Sequence, residues 1–284
     1  MTDTAATRAI REPLGAAQTA SLVDTLYSDG IIGLTGAFDR EWIQQLDEDV
    51  VAAFEEARGR ERGAVGRGPH RWYVEIHPQQ LRGFVELATH PWITAVAEVV
   101  LGPEYEIVEV GFDIPFPGAV HQPWHRDFPS PADTYQRHTL TSLAVNITTV
   151  DTEPDMGPFE IAPGTHFEPG DAFEHDMFPA RSSYPHYEER AVRKYPQRGD
   201  ISIRSALTIH RGTKNLSQKK RPVLVLGLDA PGAGNAGHHD LAVTADYWTR
   251  LPEDLRRHLS CPVVDELTPI TQKHTIEGLV MGEA

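Results

Sequence analysis

From Tyr105 to Asp229 the chain is cut into short apolar runs by Pro, Gly and Asp: YEIVEVGFDI, LTSLAVNITTV, GPFEIAP, DISIRS, LTIH and PVLVLGLD. Runs of this length, rich in Val and Ile and bounded by turn formers, are strands. A succession of them makes a β-sandwich or barrel.

Upstream the period changes. SLVDTLYSDG reads as a short helix closed by Gly30, and IIGLTG as a strand. Asp39 is placed as the N-cap of a helix whose Trp42, Ile43, Leu46, Val50 and Phe54 share one face. Two further helices are expected at 79–89 and 91–101, the second opened by Pro91. RGRERGAVGRGPHR, residues 58–71, lacks a period and reads as a mobile surface loop. Residues 167–194, interrupted by Pro and rich in aromatics and His, are too long for a simple connection and read as a lid. TADYWTRLPEDLRRHL reads as a polar surface helix broken at Pro252. Residues 1–18 are small and polar, the expectation for a loose arm, and 19–284 carry no repeat or linker and form one domain.

Composition narrows the class. A hydrophobic fraction of 40% and a charged fraction of 24% are those of a soluble globular protein, not of a disordered chain. Cys261 is the only cysteine, which excludes an intrachain disulfide and a cysteine metal cage. No segment approaches the ~20 apolar residues of a membrane span, and the start lacks the apolar stretch of a signal peptide. A cytoplasmic protein with no membrane partner is expected. The net charge of -15 argues against nucleic acid, whose phosphates need a basic surface, and is compatible with a cationic small molecule such as an aminosugar.

The informative run is HQPWHRDFPSP. On an extended strand, His125 and Asp127 point to one face and can grip one ion side by side. Two imidazoles and a carboxylate on one face of an octahedron leave three open positions, which suits iron(II). The third ligand is expected from a distant histidine. RGDISIRSALTIHRGTKNLSQKKRPVLVLGL provides it: Gly199 and Asp200 turn into a strand, His210 closes the next, and Arg221 begins the one after.

Trp124-His125-x-Asp127, Gly157-Pro158 leading to Pro163-Gly164-Thr165-His166, Gly199-Asp200, and His210-x-Gly212-x-x-Asn215-x-Ser217-x-x-x-Arg221 follow one another in order. In that ordered set the chain resembles the phytanoyl-CoA dioxygenase family, which includes ectoine hydroxylase and tailoring enzymes of natural-product pathways, over roughly residues 19–255. The resemblance implies a double-stranded β-helix, a jelly-roll or cupin-like barrel that is mainly β with flanking helices. It further implies iron(II) held by His125, Asp127 and His210, and 2-oxoglutarate as co-substrate with its far carboxylate paired to Arg221. Dioxygen is the oxidant, acting on a C–H bond of a small molecule. Asn146 matches a position beside the co-substrate. Gly212 stands where several relatives carry Ser, so one expected hydrogen bond is missing. Asp127 occupies the position where the family's halogenases have a small residue, which argues against halogenation.

Gln122, which would share a face with Trp124, and Arg71, Tyr73 and Glu75, which alternation aims one way, are the candidates for contact with substrate. Phe173, His175, Phe178, Tyr184, His186 and Tyr187 belong to the proposed lid. His166 is read as a turn residue, and His238 and His239 as exposed and inert. Two other classes compete: a non-catalytic barrel that binds a ligand or uses a metal only structurally, which predicts a broken triad or no Arg221, and a different metal enzyme such as a cupin isomerase or a thiol dioxygenase, which needs more histidine ligands in another spacing.

Overall fold

The structure, a computed structural model, describes residues 11–127, 134–168, 173–175 and 177–273. α1 (Ala16–Asp29) ends at Gly30, whose φ of 78° and backbone N–H to Leu26 O close the helix. A side chain there would meet Thr208 Oγ1 at 2.2 Å, so Gly30 also lets the chain pass tightly into β1 (Ile31–Leu34). α2 (Arg40–Arg58) is capped by Asp39, which accepts the Trp42 N–H at 2.7 Å, and buries Trp42, Ile43, Leu46 and Val50. β2 (Val65–Gly66) and β3 (Arg71–Glu75) form a hairpin, followed by α3 (Phe84–Ala88), α4 (Pro91–Leu101) and the long β4 (Glu106–Pro115). Then come α5 (Thr134–Arg137), β5 (Ser142–Thr148), β6 (Phe159–Ile161), β7 (Phe173–His175), β8 (Phe178–Pro179), α6 (Tyr184–Arg190) and β9 (Val192–Lys194). β10 (Ile201–Ser205), β11 (His210–Gly212) and β12 (Val223–Asp229) complete the main sheets, and α7 (Ala245–Arg250) and α8 (Glu253–His258) flank them.

A seven-stranded sheet runs β1-β10-β5-β12-β4-β3-β2 with every pair antiparallel. Its register divides labour between the two faces. Leu34, Ile201, Ile147, Leu224, Phe112 and Val74 form one continuous cross-strand row, all buried in the main core with Trp42, Leu46, Ile93 and Val96 of the helices. Burying each such side chain is worth about 1.5–3 kcal/mol. The adjacent row, Gly33, Ser202, Asn146, Val225, Gly111 and Glu75, faces the other way, and all but Gly111 line a cavity. A three-stranded sheet, β11-β6-β9, forms the opposite wall and is extended by a bridge between His125 and His210.

Several expectations are corrected. The helix starts at Ala16, inside the expected arm, whose residues 1–10 lie outside the described ones. The expected helix at 79–89 is a 3-10 turn at Pro78–Gln80 followed by α3, with Gly83 between them packed where a Cβ would strike the Trp42 ring. The stretch 58–71 is no mobile loop: it contains β2, and Arg58 and Arg67 lie over the Trp72 and Tyr73 rings at 3.7 and 4.4 Å. His210 opens its strand instead of closing one, and β12 begins at Val223, two residues past Arg221. His125 makes a single bridge, not a strand, so Gln122 and Trp124 do not share a face: Gln122 lines the cavity, while Trp124 is buried against Tyr187.

Asp39→Ala removes the acceptor of the Trp42 N–H and is expected to cost about 1 kcal/mol, seen as a lower urea midpoint with unchanged slope.

Candidate active site

The two sheets enclose a cavity of about 450 Å³ that His125, Asp127, His210 and Arg221 all line. His125 and His210 exchange backbone N–H to carbonyl hydrogen bonds of 3.0 Å in both directions, which sets the two imidazoles side by side. The Asp127 N–H donates to Ala206 O at 2.9 Å and anchors the carboxylate next to them. The candidate ligand atoms of these three residues lie within 4.8 Å of one another.

The tautomers follow from second partners. His125 Nδ1 lies 2.9 Å from Pro123 O and His210 Nδ1 lies 2.9 Å from Thr208 O. A carbonyl only accepts, so each Nδ1 carries the proton and each Nε2 keeps its lone pair, the form that binds a metal. Burial pushes both imidazoles below the usual histidine range; for His125 the neighbouring His210 adds to this, and for His210 the neighbouring Arg204. Burial acts to raise the Asp127 carboxyl, but the Arg204 guanidinium beside it opposes this, and the group stays ionised, well below the usual carboxylate range. Asp127 Oδ1 stands 3.3 Å from His210 Nε2, so two lone pairs face each other. They repel unless a cation lies between them. The donor set therefore fits a divalent metal ion on two neutral imidazoles and one carboxylate.

At the far end of the cavity Arg221 is 4% exposed and donates through Nε to Met156 O at 3.3 Å and through Nη2 to Gly157 O at 2.7 Å. Arg71, 1% exposed, donates to Asp113 Oδ2 at 2.7 Å and Thr213 O at 3.1 Å, while its buried Nε has no partner among the described residues. Burial, reinforced by the charge of Arg71, pushes Arg221 down to about 10. Two guanidiniums share one carboxylate, Asp113, and that imbalance favours an anion. Gly212 has a reason here: a Cβ would fall 2.4 to 2.7 Å from the Arg71 guanidinium, so Ser cannot take its place without moving that group.

Every other expected site residue lines the cavity, though each is already engaged. Gln122 Oε1 accepts the Gly212 N–H at 2.8 Å, and Asn146 Oδ1 accepts from Arg204 Nε at 3.2 Å. The Tyr73 hydroxyl donates to Glu109, and the Glu75 carboxylate accepts the Asp240 N–H at 2.7 Å with His239 Nδ1 at 3.2 Å. His239 is thus a cavity residue with a buried side chain, a correction to its reading as inert; His238 is exposed but reaches the same cavity rim. The lid expectation is also revised. Met177 and Phe178 line the cavity, and His125 stacks on Phe178 at 5.8 Å. Residues 192–194, however, pair as β9 with β6, and Tyr187 packs under Trp124. His186 instead pairs with Glu168 at the surface, whereas the side chains of Phe173 and His175 and residues 169–172 and 176 lie outside the described ones. His166 serves a turn, its Nε2 2.9 Å from Tyr27 O, and stays off the metal triad.

Sequence reading missed Arg204, Glu109 and Asp113. Their inward positions on β10 and β4 were available from strand alternation, but each sits in a run that reads simply as sheet. Among the described residues no helix is long and apolar enough to cross a membrane.

Burial depresses His90, His121, His125, His166 and His210, so below the ordinary histidine value of 6.5 the unfolded chain binds more protons than the folded one. Among the described histidines with a shifted value, His239, raised by Glu75 and Glu109 against its burial, opposes the trend. Metal-free protein is expected to lose stability as pH falls through about 6.5, measured as a falling urea midpoint; bound metal should raise the midpoint near neutral pH, and that gain should itself shrink as pH falls because the ligating imidazoles must stay unprotonated.

Comparison with known proteins agrees with this geometry. The model of the phytanoyl-CoA dioxygenase family matches residues 26–223. No curated protein matches the chain by sequence. Among solved structures, the non-haem α-ketoglutarate-dependent carbocyclase SnoK from nogalamycin biosynthesis is similar at 20% identity and a TM-score of 0.60, covering 80% of this chain and 92% of its own. The epimerase SnoN of the same biosynthesis, in complex with Fe3+, α-ketoglutarate and nogalamycin RO, is 22% identical with a TM-score of 0.58, covering 76% of this chain and 85% of its own. EctD from S. alaskensis, with 2-oxoglutarate and 5-hydroxyectoine, is 18% identical with a TM-score of 0.60 and covers 78% of each chain. With a family match over most of its length and a metal triad in its cavity, the chain belongs to the phytanoyl-CoA dioxygenase family of iron- and 2-oxoglutarate-dependent oxygenases.

Proposed function

We propose that this protein is an iron(II)- and 2-oxoglutarate-dependent dioxygenase that oxidises a C–H bond of a small polar metabolite in natural-product, including antibiotic, biosynthesis. The observation that carries the reading is that His125, Asp127 and His210 converge within 4.8 Å in the cavity that also holds the buried, carbonyl-anchored Arg221. The two sheets are read as the walls of a double-stranded β-helix. Iron held by the triad supplies the activation of dioxygen at the expense of the 2-oxo acid.

The chain's own residues do the rest. Arg221 pairs with the far carboxylate of 2-oxoglutarate, and Arg71 is reassigned from substrate to this same end, where it lies against Gly212 in place of a serine hydroxyl. Asn146, on the wall between, borders the co-substrate. Gln122, Tyr73 and Glu75 form the remaining polar lining for the substrate, and Met177 and Phe178 shield the metal triad from water. Besides hydroxylation, oxidative cyclisation and epimerisation remain in view, since SnoK and SnoN are described as a carbocyclase and an epimerase. Glu75 and Glu109 on the wall, with the net charge of -15, support a cationic substrate such as an aminosugar. A single domain from Ala16 onward and a cytoplasmic location complete the proposal. The reading as a barrel with a purely structural metal gains no support, because the triad and Arg221 are intact and share one cavity.

The test is anaerobic titration of iron(II) and then 2-oxoglutarate, followed by the weak visible charge-transfer band of the chelate. Arg221→Ala is expected to weaken 2-oxoglutarate binding about 10- to 100-fold, the equivalent of losing about 1.5–3 kcal/mol of charge-assisted hydrogen bonding. Gly212→Ser, which displaces the Arg71 guanidinium, should raise the KM for 2-oxoglutarate with little change in metal affinity. A wild-type protein that binds iron but never shows the band would overturn the reading.

A further inference from the structure

We propose that Arg204 is the positioning residue that keeps Asp127 a one-oxygen metal ligand and so preserves an open coordination position for dioxygen. The inference rests on the proposed function and concerns a residue that the family motifs in this sequence do not include.

Arg204 lies on the inward face of β10, in register with Ile31 and Ala144. Its side chain is 5% exposed and is fixed from two further sides: Nε donates to Asn146 Oδ1 at 3.2 Å, and the guanidinium sits 5.5 Å from the centre of the Phe159 ring. Nη1 is in direct ion contact with Asp127 Oδ2. The other carboxylate oxygen, Oδ1, is the one that faces His210 Nε2. The two oxygens of Asp127 are therefore already divided, one to the guanidinium and one to the His210 imidazole.

Counting positions shows why that division matters. A six-position ion takes two from His125 and His210 and one from a singly bound Asp127, leaving three. A chelating 2-oxo acid fills two of them and leaves one for dioxygen. A carboxylate bound through both oxygens would occupy that last position. Carboxylates adopt the two-oxygen mode readily when nothing claims the second oxygen. A guanidinium suits the task, because it cannot lose its charge under ordinary conditions and cannot itself ligate the metal. Asn146, on the neighbouring strand, holds Arg204 at Nε and so prevents it from swinging away when a second cation enters the site.

The experiment uses nitric oxide as a probe of the open position. Wild-type protein is loaded anaerobically with iron(II) and 2-oxoglutarate, and nitric oxide is titrated while its paramagnetic iron signal and the visible band are followed. Arg204→Met, which keeps the apolar stem and removes the donors, should still give the 2-oxoglutarate band. Its affinity for nitric oxide should fall about 10- to 100-fold, the usual penalty for losing the partner that orients a ligand. Arg204→Lys, with the charge but not the fork, should recover part of the loss. If Arg204→Met does not fold, Arg204→Leu, which also lacks donors, replaces it and should show the same loss. An Arg204 variant whose iron–2-oxoglutarate complex binds nitric oxide as wild type does, with only its melting temperature lowered, would overturn the proposal and leave Arg204 a structural residue. Absence of the band in the wild type would instead overturn the functional reading beneath it.

Discussion

Two backbone hydrogen bonds hold the site together: His125 N–H to His210 O, and His210 N–H to His125 O, each 3.0 Å. The partners lie far apart in sequence, and the bridge between them is isolated, not part of a long ladder. Its position is set by what surrounds it. The Ala162 N–H donates to Ile209 O, and the Asp127 N–H to Ala206 O, both at 2.9 Å, so the strands on either side fix the register. Because side chains alternate, slipping one partner of this bridge by one residue would turn its histidine away from the cavity and split the pair. The carbonyls of Pro123 and Thr208 then fix both tautomers, so the backbone decides which nitrogen can bind a metal.

The cavity is polarised along its length. At one end Arg71 and Arg221 share a single carboxylate, which leaves positive charge suited to an anion. Farther along the strands, Asp127 and Arg204 compensate each other beside the two neutral imidazoles. Across the sheet, Glu109, in one cross-strand row with Arg204, is pushed above the usual carboxylate range by burial, and Glu75, one row nearer Asp113, is paired with His239. The seven-stranded sheet makes this possible through its period of two: one row of side chains becomes core, and the next becomes cavity wall. Gly111 and Gly212 supply the space in which Tyr73 and Arg71 lie flat against that wall.

Much of this was legible in the sequence, for reasons that are local or motif-bound. The helix from Arg40 followed from an Asp39 cap and a clean apolar face, and the strands from their short Val- and Ile-rich runs. His125, Asp127 and His210 were singled out because metal chemistry demands particular residue types, and the ordered motifs that resemble a known family added Arg221. What escaped detection depends on contacts between distant segments. The stretch 58–71 looked mobile because its order comes from arginines stacked on Trp72 and Tyr73, neither of which forms a periodic pattern with them. His239 looked inert because its partner, Glu75, lies on a strand far upstream. Arg204 looked like an ordinary strand residue because its importance arises only when β10 is brought over Asp127. Gly212 registered as a missing hydroxyl, whereas its meaning lies in the guanidinium that occupies the vacated space.

The central claim is that one cavity carries the metal and the oxo acid together in a form that turns over. It is tested most directly by following succinate formation from 2-oxoglutarate in air, with iron(II)-loaded protein and no added substrate, against His210→Ala prepared in the same way. The account predicts slow, iron-dependent succinate release from the wild type and none above background from the variant. Equal succinate from both, or none from a wild type shown to hold iron and 2-oxoglutarate, would contradict it.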